Sequence, residues 1–253
     1  DVDLIIEAVL EDMKVKQDIW KKLEDVCRLD VVFATNTSAL PITEMASILD
    51  DPGRMIGLHF FNPAHRMMLL EIICAAKTSD ETLATSVSFA RAIKKIPIVV
   101  NDGPGFYVSR QLSGLLGAAV YLTADGVDGA TVEAAMLDFG MPMGPATLAD
   151  LTGIDIGYHV GKTFEKRLGK RYTVHPLTEA IYQTGCYGRK TGAGYFDYSG
   201  DQPVPNPKVV EVVQKYLGDN HVTPKEMSKE EITDVMLALG INEAALMMEE
   251  GIC

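Results

Sequence analysis

A histidine at position 59 lies near the end of the run Arg54-Met55-Ile56-Gly57-Leu58-His59-Phe60-Phe61-Asn62-Pro63, and a glutamate at 71 sits inside the next apolar run, Leu69-Leu70-Glu71-Ile72-Ile73. Both runs read as strands. If the strands are neighbours, the two side chains can meet. An imidazole with a carboxylate on one ring nitrogen has a fixed tautomer and a raised basicity, which leaves the other nitrogen to take or return a proton near neutral pH. That is equipment for removing the proton of a carbinol. A plainer reading stands beside it, with Glu71 a partly exposed edge residue and His59 a structural histidine.

The elements that must position this pair are legible from periodicity. Strand patterns occupy 3–9, 31–35, 55–60, 69–74 and 96–100. Helical spacing of Val15, Ile19, Leu23 and Val26 predicts a helix over 14–26, and Leu83, Val87 and Ala90 predict another over 80–92. Continuous runs such as Leu4-Ile5-Ile6 suit strands buried on both faces, the mark of an α/β sheet covered by helices. After Asp102-Gly103-Pro104-Gly105 the texture changes to long small-residue helices, over 107–124 and over 128–137 behind a capping Asp128, and residues 140–145 break the chain before a further helical stretch. A domain boundary falls at that change, and the second half is expected to be all-α. One internal echo aligns residues 117–127 with 242–252, each a helix stopped by glycine after an acidic residue. The pattern alone also fits two common Ala-rich helices with C-terminal glycines.

With 253 residues, 47% hydrophobic and 23% charged, the composition is that of a globular protein with an ample core. A formal charge of -12, with its 23 Lys and Arg scattered, argues against nucleic-acid binding, and an acidic substrate would need a local basic patch. The longest apolar runs are strand-sized, far short of the ~20 residues that cross a bilayer, so no membrane span is expected. Nothing at Asp1 looks like a signal peptide. Cys27, Cys74, Cys186 and Cys253 lie far apart without metal-ligand spacing, which points to free thiols in a reducing compartment and to no metal.

The wording around the pair carries a resemblance. Ala34-Thr35-Asn36-Thr37-Ser38-Ala39-Leu40-Pro41-Ile42, then Gly57-Leu58-His59-Phe60-Phe61-Asn62-Pro63, Asp102-Gly103-Pro104-Gly105-Phe106, Phe139-Gly140-Met141-Pro142-Met143-Gly144-Pro145 and Gly188-Arg189-Lys190-Thr191-Gly192-Ala193-Gly194-Tyr195-Phe196 follow one another in the order and spacing of the 3-hydroxyacyl-CoA dehydrogenases of fatty-acid β-oxidation, which the chain closely resembles over nearly its whole length. The resemblance implies an α/β fold followed by all-α: a partial Rossmann-like NAD-binding domain over 1–101, a helical dehydrogenase domain over 102–223, and over 224–253 the start of a second, truncated helical repeat, as in the multifunctional β-oxidation enzymes. It implies oxidation of a (3S)-3-hydroxyacyl-CoA to the 3-ketoacyl-CoA with NAD. His59 then resembles the catalytic base, Glu71 its orienting partner, and Ser38 a hydrogen-bond partner of the substrate near its 3-oxygen; on local sequence Ser38 is equally a turn or N-cap serine. Asn62 resembles a cofactor contact beside the nicotinamide, although Asn-Pro alone reads as a turn. Glu11 and Lys16 resemble contacts to the nicotinamide-side ribose, although locally each reads as a solvated charge at the start of a helix. Arg54 and Lys190 are further cations within reach of the CoA phosphates in principle, with neither assigned.

Three departures accompany the resemblance. No strand, G-x-G-x-x-G, helix unit stands in this sequence, and residues 1–9 resemble the middle strand of the family's cofactor domain, so the chain is expected to lack the first half of that domain. The glycine clusters at 103–105 and 188–194 read as turns. The family's Gly-Phe-x-x-Asn-Arg is here Gly105-Phe106-Tyr107-Val108-Ser109-Arg110, which puts a hydroxyl where a substrate-binding amide is expected, and Met68 stands where a lysine is expected. The implied partners are an acyl-CoA and further copies of the chain, joined through the helical domain. The implied setting is the cytoplasm, or the mitochondrial matrix or peroxisome in a eukaryote. The alternatives are a related dehydrogenase of free hydroxy acids and a non-catalytic, crystallin-like or assembly fragment of the same fold.

Overall fold

Runs rich in Ile, Val, Leu and Phe leave no polar face, and strands built from them must be covered on both sides. In the computed structural model, which describes residues 2–253, such runs pair into a five-stranded sheet in the order β1 (Leu4–Glu7), β2 (Val32–Thr35), β3 (Met55–Phe60), β4 (Leu69–Cys74) and β5 (Ile96–Asn101). Strands β1, β2 and β3 are parallel, β4 runs antiparallel to β3, and β5 is parallel to β4. Three of the four connections are helical, α1 (Met13–Glu24), α2 (Ile42–Ala46) and α3 (Asp80–Ala92), and a turn joins β3 to β4. Asp12 caps α1 by accepting from the Val15 N–H at 2.9 Å. The helix expected to reach Val26 ends at Glu24 instead, and Val26, 79% exposed, buries nothing that would reward another turn.

Period-two alternation sorts the strand residues onto two faces. Phe33, Met55 and Ile73 face Trp20 of α1 and Ile42 and Met45 of α2. Val32, Ala34, Ile56, Leu58, Leu70 and Ile72 face Leu83, Val87 and Ala90 of α3. Each fully buried large side chain here contributes roughly 1.5–3 kcal/mol, and the Trp20 and Phe33 rings add a stacked contact at 5.0 Å. All four cysteines are free, and burial pushes the thiol of the half-buried Cys74 up.

Two compact units divide the chain: residues up to Arg110 together with Leu246–Cys253, and Gln111–Ala245. The division differs from a cut after residue 101, because the first residues of α4 (Val108–Ala124) and the C-terminal segment belong with the sheet. The second unit contains the rest of α4, then α5 (Gly129–Phe139), α6 (Pro145–Thr152), α7 (Ile154–Leu168), α8 (Pro176–Tyr182), α9 (Pro207–Asp219) and most of α10 (Lys229–Glu249). It is not wholly helical: β6 (Phe196–Asp197) and β7 (Val204–Pro205) form an antiparallel ribbon. Asp128 caps α5 as its position suggests, accepting from the Thr131 N–H at 3.0 Å. No helix among the described residues is long and apolar enough to cross a membrane.

The internal echo has a structural counterpart at its C-terminal end. Helix α4 stops with Val127 N–H donating to Leu122 O at 3.0 Å around Gly126 at φ +94, and α10 stops with Ile252 N–H donating to Met247 O at 2.9 Å around Gly251 at φ +70. Both are Schellman-type caps in which a left-handed glycine turns a following apolar residue, Val127 or Ile252, back into the core.

Candidate active site

The pleat places the pair. His59 alternates with Leu58 and Phe60, Glu71 with Leu70 and Ile72, and the two lie directly opposite in the antiparallel β3/β4 register. Opposed residues in such a ladder carry Cβ atoms about 4.5–5.5 Å apart on one face. Glu71 Oε2 and His59 Nδ1 meet at 2.9 Å, with Glu71 fully buried. One residue pair along the same face, Gly57 opposes Ile73, and a Cβ at Gly57 would come within 2.8 Å of Ile73 Cδ1, so glycine keeps β3 flush with β4 beside the histidine.

The second oxygen of Glu71 is also occupied. Oε1 accepts from the backbone N–H of Tyr107, just before α4, at 2.8 Å and of Val108, its first residue, at 3.1 Å. A helix N-terminus favours negative charge. The sequence reaches this arrangement through Gly105 at φ +71 and Phe106 at φ +53, a left-handed pair that swings the chain from the loop into the helix. For a bulky residue such as phenylalanine that conformation is strained by about 1–3 kcal/mol, and it persists because Phe106 is fully buried in the sheet core. Phe61 and Phe106 flank the imidazole, with ring centroids at 4.5 Å and 6.1 Å. His59 Nδ1 is committed to Glu71, and Nε2 has no hydrogen-bond partner among the described residues.

A second polar cluster lies at the carboxyl ends of β1 and β2, the edge of a parallel sheet where ligands characteristically bind. Glu7, the last residue of β1, is buried; its Oε1 accepts from Lys16 Nζ at 2.7 Å and its Oε2 from Thr35 Oγ1 at 2.7 Å. Lys16 therefore departs from the reading as a solvated charge: its side chain is 1% exposed, and its ammonium also lies 3.4 Å from Glu11 Oε2. Glu11, 45% exposed, holds the loop after β2 by accepting from the Ser38 N–H at 3.0 Å and from Thr37 Oγ1. Ser38 is no N-cap, since Pro41 holds that place before α2, and the Ser38 hydroxyl makes no hydrogen bond among the described residues. Asn36 Oδ1 accepts from Phe60 N–H at 2.8 Å and so links this loop to the end of β3, beside His59. Asn62 is exposed in the turn that follows.

Ser109 is half-buried in the first turn of α4, directly after the amides that hold Glu71, and its hydroxyl has no hydrogen bond among the described residues. Arg54 is not available to a phosphate: it is buried, stacks on Phe33 at 4.2 Å and donates to Val31 O at 3.0 Å and Arg28 O at 2.9 Å. Lys190 pairs with Asp155 at 2.6 Å. Met68, where a lysine was expected, is 52% exposed; the turn before it is tied by Lys95, whose ammonium reaches Met67 O at 2.5 Å. Sequence reasoning passed over Glu7, Thr35 and Thr37. The signal that exposed Glu71, a carboxylate inside an apolar run, was present at Glu7 after Leu4-Ile5-Ile6.

Comparison with known proteins places the chain. Residues 1–103 match the model of the 3-hydroxyacyl-CoA dehydrogenase NAD binding domain, and residues 105–198 match that of the 3-hydroxyacyl-CoA dehydrogenase C-terminal domain. The (S)-3-hydroxybutyryl-CoA dehydrogenase of Ralstonia eutropha is 33% identical with a TM-score of 0.75, covering 78% of this chain and 71% of that one. The chain thus belongs to the 3-hydroxyacyl-CoA dehydrogenase family, with a Rossmann-like first unit and a helical second. The fatty acid oxidation complex subunit alpha of Shewanella sp. (strain MR-4) is 39% identical over 254 residues, covering 100% of this chain and 36% of the relative. The chain spans about a third of the length of such curated relatives. The 3-hydroxybutyryl-CoA dehydrogenase of Escherichia coli K12, 22% identical, shares the fold with a TM-score of 0.84 over 99% of this chain and 69% of that one.

Proposed function

We propose that this chain carries the dehydrogenase chemistry of a fatty-acid oxidation enzyme, converting a (3S)-3-hydroxyacyl-CoA to the 3-ketoacyl-CoA with NAD+. The observation that carries the proposal is the buried His59–Glu71 pair, in which the carboxylate is held on both oxygens and the imidazole keeps one nitrogen for chemistry. His59 Nε2 takes the proton of the 3-hydroxyl, the C3–H bond breaks, and the carbonyl forms. NAD, when bound, supplies the acceptor for the hydride. Glu71 keeps Nδ1 protonated and offsets the imidazolium that results. Ser38 and Ser109 donate toward the 3-oxygen.

The donor set at the carboxyl ends of β1 and β2 fits the nicotinamide half of the cofactor. The partly exposed carboxylate of Glu11 suits ribose hydroxyls, with Lys16 and Ser38 N–H fixing its direction, and Asn62, whose amide has no hydrogen-bond partner among the described residues, stands beside β3. Lys16 thus contributes to cofactor binding by holding Glu11. Within the division into 1–101, 102–223 and 224–253, the reading of the last as the opening of a second helical repeat is supported by the matching glycine caps of α4 and α10. Assembly into a homo-oligomer through the helical domain is supported by exposed Leu239 and Ile241 of α10 and Leu137 and Phe139 of α5. The bacterial source of the Shewanella relatives supports a cytoplasmic setting.

The test is NADH oxidation by the complete polypeptide with acetoacetyl-CoA, set against free acetoacetate. Turnover of the thioester alone is the expected outcome. Turnover of the free acid alone would transfer the chain to the hydroxy-acid dehydrogenases, and turnover of neither would leave a non-catalytic assembly role.

A further inference from the structure

The amides that hold Glu71 are themselves set by a short segment, residues 101–110, and the C-terminal residues of the chain grip that segment at both ends. At the near end, Asn101 N–H donates to Ile252 O at 2.7 Å and Asn101 Nδ2 donates to Gly251 O at 2.8 Å. In the middle, Gly103 admits the Ile252 side chain; a Cβ there would overlap Ile252 Cδ1. At the far end, Arg110 Nη1 donates to Glu250 Oε2 at 2.6 Å, with the arginine side chain 1% exposed. Between these anchors lie the left-handed Gly105 and Phe106 and the two N–H groups on Glu71 Oε1.

A strained backbone persists only where its surroundings over-determine it. Here the surroundings are the sheet core that buries Phe106 and, at both ends of the segment, residues 250–252, themselves fixed by the Schellman-type cap that ends α10 and by burial of Ile252 and Met247. We propose that residues 250–252 form a clamp that positions the Tyr107 and Val108 amides on Glu71, so that Asn101, Arg110, Glu250 and Ile252 are positioning residues for the His59–Glu71 pair. None of the four touches substrate or cofactor in this role. Each acts through the direction in which Glu71 is held. The inference rests on the proposed function, since it assumes that His59 and Glu71 perform the chemistry.

Glu250→Ala in the complete polypeptide should lower kcat about tenfold with KM for acetoacetyl-CoA and NADH unchanged, because the clamp serves the pair and not the binding surfaces. Glu250→Gln keeps an acceptor for Arg110 and should recover most of the rate. The discriminating measurement is a double-mutant cycle with Glu71→Gln: in that background the Glu250→Ala effect should shrink to less than about twofold, since residues that act as a unit are strongly non-additive. An equal tenfold loss in both backgrounds, a loss expressed in KM alone, or no loss at all overturns the clamp. If Glu250→Ala does not fold, Asn101→Ala, which removes one hydrogen bond and leaves the backbone contact, takes its place in the same cycle with the same expected pattern. His59→Ala run alongside separates the two levels: undiminished turnover there refutes the chemistry itself, whereas loss there with an additive cycle refutes only the clamp.

Discussion

Each unit of this protein buries carboxylates, and Asp150 of one and Glu71 of the other are used differently. In the helical unit, Asp150 is buried and accepts from the N–H of Tyr195 at 2.7 Å, the N–H of Phe196 at 2.9 Å and the hydroxyl of Tyr198 at 2.9 Å. The turn it supports is pressed against it, for a Cβ at Gly194 or at Gly188, the latter at φ +98, would overlap Asp150 itself. Burial pushes the Asp150 carboxyl above its ordinary range and the Tyr198 hydroxyl up to about 12. In the sheet unit, Glu71 is equally buried and also accepts two backbone amides, yet it reserves one oxygen for a titratable ring whose far nitrogen has no hydrogen-bond partner among the described residues. A buried carboxylate whose donors are all fixed frames a loop. One that spends an oxygen on an imidazole is equipped to steer a proton. Local sequence does not separate the two, since each glutamate or aspartate sits among apolar neighbours.

The largest effect that tests this contrast is His59→Ala, which should lower kcat by roughly 100- to 10,000-fold while the fold survives. Steady-state kinetics paired with circular dichroism checks it, and an unchanged rate would remove the histidine from the mechanism. Asp150→Ala should do the reverse, destabilising the helical unit by about 2–5 kcal/mol because buried donors lose their acceptor, while the folded fraction keeps its rate. Urea unfolding with activity measured in parallel decides it; a rate lost at full foldedness would erase the distinction between the two carboxylates.

Ser109→Asn sharpens the comparison on the catalytic side. If the longer amide better reaches the developing oxyanion, kcat/KM for acetoacetyl-CoA should rise by about 1–3 kcal/mol in transition-state terms. Equal values for Ser109, Ser109→Asn and Ser109→Ala would show that the position does no chemistry. The smallest effect concerns His175, whose Nδ1 accepts from Leu177 N–H at the start of α8. Desolvation lowers its pKa below the ordinary imidazole value. A depressed folded pKa means that its contribution is present above the unfolded imidazole value and is lost as pH falls through the lower folded one. Acidification through and below the ordinary imidazole range should therefore lower the thermal midpoint slightly, by less than the full worth of a helix cap because the ring is partly solvated. His175→Asn, which keeps an acceptor that does not titrate there, should flatten that dependence.

Much of the architecture is legible in the sequence. The strands at β3 and β4 and the helix α3 have the limits that alternation and helical spacing predict, because each run buries a face and the period follows from that face. Limits drifted where burial stopped before propensity did, as at Val26, and the β6/β7 ribbon was missed because two-residue strands show no period. The candidate site was legible only in part. His59 and Glu71 announced themselves by residue type, whereas Lys16, read locally as a solvated charge, lies buried between two glutamates.

The sequence by itself determined which residue types stood in which alternation, hence the α/β sheet followed by helices, and through its ordered motifs the family. Only the tertiary structure decided the pairings. That Glu71 opposes His59 follows from β4 running antiparallel to β3; that its other oxygen meets the Tyr107 and Val108 amides follows from a left-handed Phe106; that Glu250 reaches Arg110 joins residues far apart in the chain. Periodicity reports which face a residue occupies, because that depends on the local backbone repeat. Which partner waits on that face depends on register and on contacts between distant segments, which local sequence does not encode.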